Sequence, residues 1–148
     1  MENVKDAIKG MEFFKGFSDE ELSILQAEME TLKVSEGDCL FAEREEGNSI
    51  FWTIRGKFDI KKYAFPTEQI ILRTEPGEPI GELSFLDGEN RSATVIALED
   101  TEGVILTRER FDSLREKNPD LAFKLLMALS KILSFRLREM TQRFVELA

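Results

Sequence analysis

Histidine is missing altogether. Its absence removes most metal-site chemistry, Ser-His-Asp catalysis and imidazole proton shuttles at once. Cysteine is reduced to Cys39, so no disulfide can close within the chain, and a reducing, cytoplasmic setting is expected. No apolar run reaches the roughly 18 residues of a transmembrane helix. Met1–Asp6 has neither the basic start nor the apolar stretch of a secretory signal. Positive charge is scarce too: 20 Lys and Arg stand against 29 Asp and Glu, for a net charge of -9. That balance has the wrong sign for a nucleic-acid backbone. With the sequence ending at Ala148, no DNA-reading segment, no DNA binding and no membrane association are expected. Tryptophan and tyrosine occur once each.

Phenylalanine is what there is instead. Twelve Phe, 42% hydrophobic and 33% charged residues in 148 suit one soluble domain with a single core. Residues 1–30 carry helical signals. Ser18-Asp19-Glu20-Glu21 is a capping box, with Leu22, Leu25 and Met29 following at helical spacing. Phe13, Phe14 and Phe17 are placed to pin this helix to the rest of the fold. From 31 to 106 the period becomes two: Ile50, Trp52 and Ile54 alternate with Phe51, Thr53 and Arg55, and Ala93, Val95 and Ala97 with Thr94 and Ile96. Turns at Gly37, Gly47-Asn48, Gly56, Pro76-Gly77 and Asp87-Gly88 punctuate these runs. Short strands so spaced predict a mainly β fold, a closed jelly roll (double-stranded β-helix) with flanking helices. From 107 to 148 helix returns. Thr107 caps a short helix ending near Lys117. Asn118-Pro119 opens a long one that no Gly or Pro interrupts.

The chemistry lies in residues 80–94. Gly81-Glu82-Leu83-Ser84-Phe85-Leu86 predicts one helical turn whose unpaired N–H groups suit an anion. Arg91 adds a permanently charged fork that can bind two phosphate oxygens at once. The Ser92 hydroxyl and the Ala93 N–H extend the ring of donors. The Glu82 carboxylate can accept from a sugar hydroxyl. Composition alone favours a solvated turn with a surface ion pair over such a site.

The order Gly81-Glu82-Leu83-Ser84, then Arg91-Ser92-Ala93, with eight residues between Glu82 and Arg91, resembles the phosphate-binding cassette of the cyclic nucleotide-binding domain family. This family includes bacterial catabolite activators and the regulatory subunits of cyclic-AMP-dependent protein kinase. Turn glycines at 37, 56 and 77, Phe111 and the Asn118-Pro119-Asp120 step extend the likeness over most of the chain. Two positions depart from the pattern. Arg44 stands where the family often has glycine, so that loop is expected to be shaped differently, and Ile80 replaces a frequent Phe.

The resemblance implies a non-enzymatic sensor for cyclic AMP or cyclic GMP, with no cofactor and no metal. Arg91 and Ser92 would hold the cyclic phosphate, Glu82 the ribose 2′-hydroxyl, and Gly81 and Ala93 would contribute backbone. The base would lie on an apolar wall for which Ile71, Leu72, Ile80 and Leu83 are candidates, each of which could also be plain core. Arg136, with Leu137, falls where the last helix would reach the base. An apolar stripe of Leu126, Leu129, Leu133, Leu137, Met140, Phe144 and Leu147 runs along that helix. Leu126–Leu133 are expected to pack on the β-roll, leaving Met140–Leu147 for a second copy or another protein partner. The alternative is a ligand-free interaction module of the same fold. A metal-dependent jelly-roll enzyme would want imidazoles the chain lacks.

Overall fold

The helix starts follow from the caps the sequence offers. In the computed structural model, which describes residues 3–147, Ser18 Oγ accepts from the Glu21 N–H at 3.1 Å and the Glu21 carboxylate accepts from the Ser18 N–H at 2.8 Å. This reciprocal box opens α2 (Asp19–Glu28), behind a short α1 (Val4–Lys9) and a 3-10 turn at Glu12–Phe14. Thr107 caps α4 (Arg108–Lys117) by accepting from the Arg110 N–H, and Asn118 caps α5 (Pro119–Leu147) by accepting from Leu121.

Among the described residues eight strands follow α2: β1 (Glu30–Val34), β2 (Cys39–Phe41), β3 (Ser49–Arg55), β4 (Phe58–Ala64), β5 (Thr67–Arg73), β6 (Pro79–Ile80), β7 (Thr94–Ala97) and β8 (Thr101–Thr107). They form two four-stranded antiparallel sheets, ordered β1-β8-β3-β6 and β2-β7-β4-β5. Their inner faces supply one core cluster of Val34, Phe41, Phe51, Phe58, Ile80, Val95 and Ala97. The expected jelly roll with flanking helices is the observed architecture.

Strand β3 is covered on both faces. Residues 49, 51 and 53 point one way and 50, 52 and 54 the other. Phe51 belongs to the core cluster, while the Phe13 and Phe14 rings sit 5.3 Å from Trp52 on the opposite face. The N-terminal aromatics therefore pin to β3, which keeps Ile50 and Trp52 as dry as Phe51.

Three features depart from the sequence reading. The β4–β5 hairpin turns at Phe65-Pro66, where no glycine, asparagine or aspartate marks it. It leaves β5 as an exposed edge strand. The loop after β2 keeps a glycine-like shape, because Arg44 itself takes a φ of 74°. On α5 the buried residues are Leu121, Ala122, Leu125 and Leu129, so the covered seam starts a turn before the expected Leu126. Leu126 and Leu133 are only half-buried; Met140, Phe144 and Leu147 are exposed, as expected, and so is Leu137.

The chain divides into two compact units, Met1–Asp112 and Ser113–Ala148. No helix among the described residues is long and apolar enough to cross a membrane.

A left-handed conformation costs a non-glycine residue about 1–2 kcal/mol, and glycine gives back part of that gain through unfolded-state entropy. Arg44→Gly is therefore expected to stabilise the chain by about 0.5–1 kcal/mol in urea unfolding. No gain would mean that the loop carries no strain at Arg44.

Candidate functional site

Two glycines in the left-handed region, Gly81 and Gly88, bracket a single short helix, α3 (Glu82–Asp87). Gly81 has φ 84° and its carbonyl accepts the Phe85 N–H, so the chain turns sharply out of β6 and straight into the helix. Glu82 is thereby its first residue, half-exposed. Ser84 and Phe85 face inward, and Leu83 faces out.

Arg91 is folded into the protein. It is 6% exposed. Its Nη1 donates to the Gly81 carbonyl at 3.0 Å and its Nη2 to Ser49 Oγ at 2.9 Å. Its Cζ lies 3.5 Å over the Phe41 ring, a desolvated cation–π contact worth up to about 2 kcal/mol. Burial pushes its pKa below the ordinary arginine value, while the fields of Glu82 and then Glu45 act to raise it. The charge persists nonetheless, since arginine does not give up its proton in proteins.

The segment between β2 and β3 builds this seat. Arg44 donates its N–H to the Arg91 carbonyl at 2.8 Å, and the Arg91 N–H donates to the Glu45 carbonyl at 2.7 Å. A Cβ at Gly47 would run into the Arg91 side chain at Nε, Cδ and Cζ. One at Gly81 would come within 2.6 Å of both Nη1 and the Phe41 ring. The glycine at 47 is required by closeness rather than by backbone shape, since its φ lies outside the left-handed range.

Beyond Arg91 the cassette rejoins the sheet through a second tie. Lys62 Nζ donates to the Ser92 carbonyl at 2.8 Å and pairs with Glu43 at 3.4 Å. The Glu43 carboxylate also accepts the Tyr63 N–H at 2.9 Å. That backbone bond is the main reason its carboxyl sits below the usual range, against partial desolvation and with help from Lys62.

Of the residues singled out from sequence, the structure brings Gly81, Glu82 and Arg91 together. Ser92 is exposed and Ala93 half-buried at the start of the run into β7. Ser84 is buried. Ile80 lies in the core cluster, paired with Phe51. Ile71, Leu72 and Leu83 are exposed, so none of these three is plain core. Ile71 is the extra residue of a bulge in β5, opposite Ile60 and Lys61. Arg136 is half-buried on α5, in the second unit. The sequence reading missed Phe41, Gly47 and Ser49. The signal that could have found Ser49 is a small polar residue on the inner face of a buried strand, beside Phe51.

Gly47→Ala is expected to weaken anion binding at this site roughly tenfold, because overpacking of this kind costs about 1–3 kcal/mol and the Arg91 side chain must take it up. Circular dichroism should show an intact fold; unchanged affinity for a cyclic nucleotide would mean that the position of Arg91 is immaterial.

The family model described as "Cyclic nucleotide-binding domain" matches residues 31–118. A cyclic nucleotide-binding domain from Methylobacillus flagellatus superposes with a TM-score of 0.86 at 27% identity, covering 98% of this chain and 82% of that one. The catabolite activator protein of Thermus thermophilus superposes with a TM-score of 0.80 at 29% identity, over 91% of this chain and 62% of that one. The cyclic AMP receptor protein of the same organism is 30% identical over 133 residues, 89% of this chain. The chain spans 60% of the length of that receptor protein and 7% of a similar lysophospholipase NTE1 from Chaetomium globosum.

Proposed function

This chain belongs to the cyclic nucleotide-binding domain family, and on that premise we propose that it is a non-catalytic sensor of cyclic AMP. The observation that carries the reading is the buried Arg91, seated against Gly81 beside the first turn of α3. In the proposed complex Arg91 holds the cyclic phosphate and Glu82 accepts from the ribose 2′-hydroxyl. The Ser92 hydroxyl and the Ala93 N–H add donors. The exposed Ile71, Leu72 and Leu83 offer apolar surface to the base. Cyclic AMP is preferred over cyclic GMP on the name of the Thermus relative.

A path for the signal leads out of α3. Arg108 Nη1 donates to the Phe85 carbonyl at 3.2 Å, and the Phe85 and Phe111 rings meet edge to face at 5.5 Å. Closing the cassette on a phosphate would therefore pull on the first turns of α4. Ligand shifts such an equilibrium only by its differential affinity for the two states. The exposed Met140, Phe144 and Leu147 of α5 are the proposed contact to a second copy of the chain or to another protein.

Calorimetric titration with cyclic AMP, cyclic GMP and linear AMP tests the reading. The expected result is saturable heat with a cyclic nucleotide and much weaker binding of the linear one. No heat and no thermal shift with millimolar cyclic nucleotide would leave an interaction module of the same fold. Sedimentation at equilibrium tests the α5 contact between copies, and a monomer with and without nucleotide would rule it out.

A further inference from the structure

Arg91 is held by groups that orient it without neutralising it. The two oxygens that accept from its guanidinium, Gly81 O and Ser49 Oγ, are both neutral, and so is the Phe41 ring beneath it. A guanidinium has five N–H donors, and these two bonds engage one on each terminal nitrogen. Enough remain for a two-point grip on a phosphate.

Ser49 can serve this way because of its place in β3. It opens the strand opposite Thr107 of β8, and alternation turns its side chain inward with Phe51. The site is 93% buried, Ser49 being 7% exposed, so a hydroxyl there needs a partner, and Arg91 is that partner. An alanine would leave Nη2 without its acceptor. An aspartate would cancel the charge that an incoming phosphate needs.

We propose that Ser49 is a positioning residue for anion capture, its hydroxyl fixing the plane of the Arg91 guanidinium so that the remaining N–H donors meet the phosphate of a cyclic nucleotide as a preset fork. This deepens the reading of the site given above and rests on it for the identity of the anion.

The test uses Ser49→Ala, Ser49→Thr and Ser49→Asp in the full chain. Each is titrated with cyclic AMP and cyclic GMP, and the guanidinium resonances of Arg91 are recorded by nitrogen-15 NMR before nucleotide is added. Loss of the hydroxyl is expected to weaken binding about tenfold, as for one bond to a charged group, and to average the Nη signals through free rotation. Ser49→Thr, which keeps the hydroxyl, is expected to restore affinity to within about threefold, and with it the resolved signals. Ser49→Asp is expected to keep the signals resolved yet weaken binding by on the order of a hundredfold, which separates orientation from charge. Wild-type affinity with resolved signals in Ser49→Ala would overturn the proposal. So would an affinity loss in Ser49→Ala that Ser49→Thr fails to restore. If the unaltered chain binds neither nucleotide, the sensor reading falls. The seat is then judged by the NMR comparison alone: averaged signals in Ser49→Ala support it, and resolved signals overturn it.

Discussion

Replacing Arg91 by alanine is expected to weaken cyclic-nucleotide binding by about 2–4 kcal/mol, which is roughly a 30- to 700-fold rise in Kd. The size follows from what the side chain would do in a dry site. It carries a permanent positive charge seated under Gly81, and water screens it little at 6% exposure. A charge-assisted pair there would be worth more than an exposed ion pair, which rarely exceeds about 1 kcal/mol. The cost to folding should be smaller. Removal strips the Ser49 hydroxyl of its donor and leaves the Gly81 carbonyl with the Phe85 N–H, but it also relieves the burial of a desolvated cation. Thermal unfolding should therefore move by only a few degrees while affinity collapses. Arg91→Lys should fall between, because a point charge cannot reach two acceptors in a fork. Full affinity in Arg91→Ala, measured by calorimetry at fixed salt, would move the anion site away from α3.

Much of this arrangement can be read before any coordinates. Ser18 with Glu21, and Asn118 before Pro119, are local signals, and both caps form as read. Gly81 and Glu82 are adjacent in sequence, so the turn into α3 is local too. The left-handed glycines at 37, 56 and 77 are legible because few other residues tolerate that conformation. Arg44 is the instructive exception. It adopts a φ of 74° because its N–H must reach the Arg91 carbonyl while Glu45 receives the Arg91 N–H. Partners almost fifty residues away in sequence over-determine the loop, and they outweigh the preference of one residue.

What is not legible is the meeting of segments. Alternation along β3 puts Ser49 on the inner face, but nothing in the strand says that Arg91 lies across from it. The same holds for Gly47, which reads as an ordinary turn glycine until the Arg91 side chain is seen to occupy the space of its missing Cβ. The β4–β5 turn escaped for a different reason. Phe65-Pro66 uses none of the residues that favour a left-handed backbone, so the hairpin shows only in the pairing of Ala64 with Thr67. On α5 the periodicity is right but its phase is not. Apolar residues are so frequent from Leu121 to Leu137 that several seams fit the spacing, and tertiary burial picks the one through Leu121, Leu125 and Leu129.

Trp52→Ala should be the most damaging single change to stability, costing about 3–5 kcal/mol and lowering the melting temperature by roughly 6–20 °C for a chain of this size. Trp52 is wholly buried, and its ring contacts those of Phe13 and Phe14, which bring the N-terminal turn onto β3. Truncation opens a cavity at the place where that turn is pinned, so the loss includes the anchoring as well as the transfer of one side chain. The conservative change separates volume from polarity. The Trp52 indole N–H is buried with no hydrogen-bond partner among the described residues, a group that typically costs about 1–3 kcal/mol. Trp52→Phe gives up some volume but sheds that donor, so it should cost less than about 1.5 kcal/mol. Because Trp52 and Ser49 lie on opposite faces of β3, Trp52→Phe should leave nucleotide affinity nearly unchanged. A loss in Trp52→Phe well above about 1.5 kcal/mol, followed by circular dichroism, would mean that the indole N–H is satisfied in solution. A large loss of affinity in Trp52→Phe would mean that the two faces of the strand are mechanically coupled.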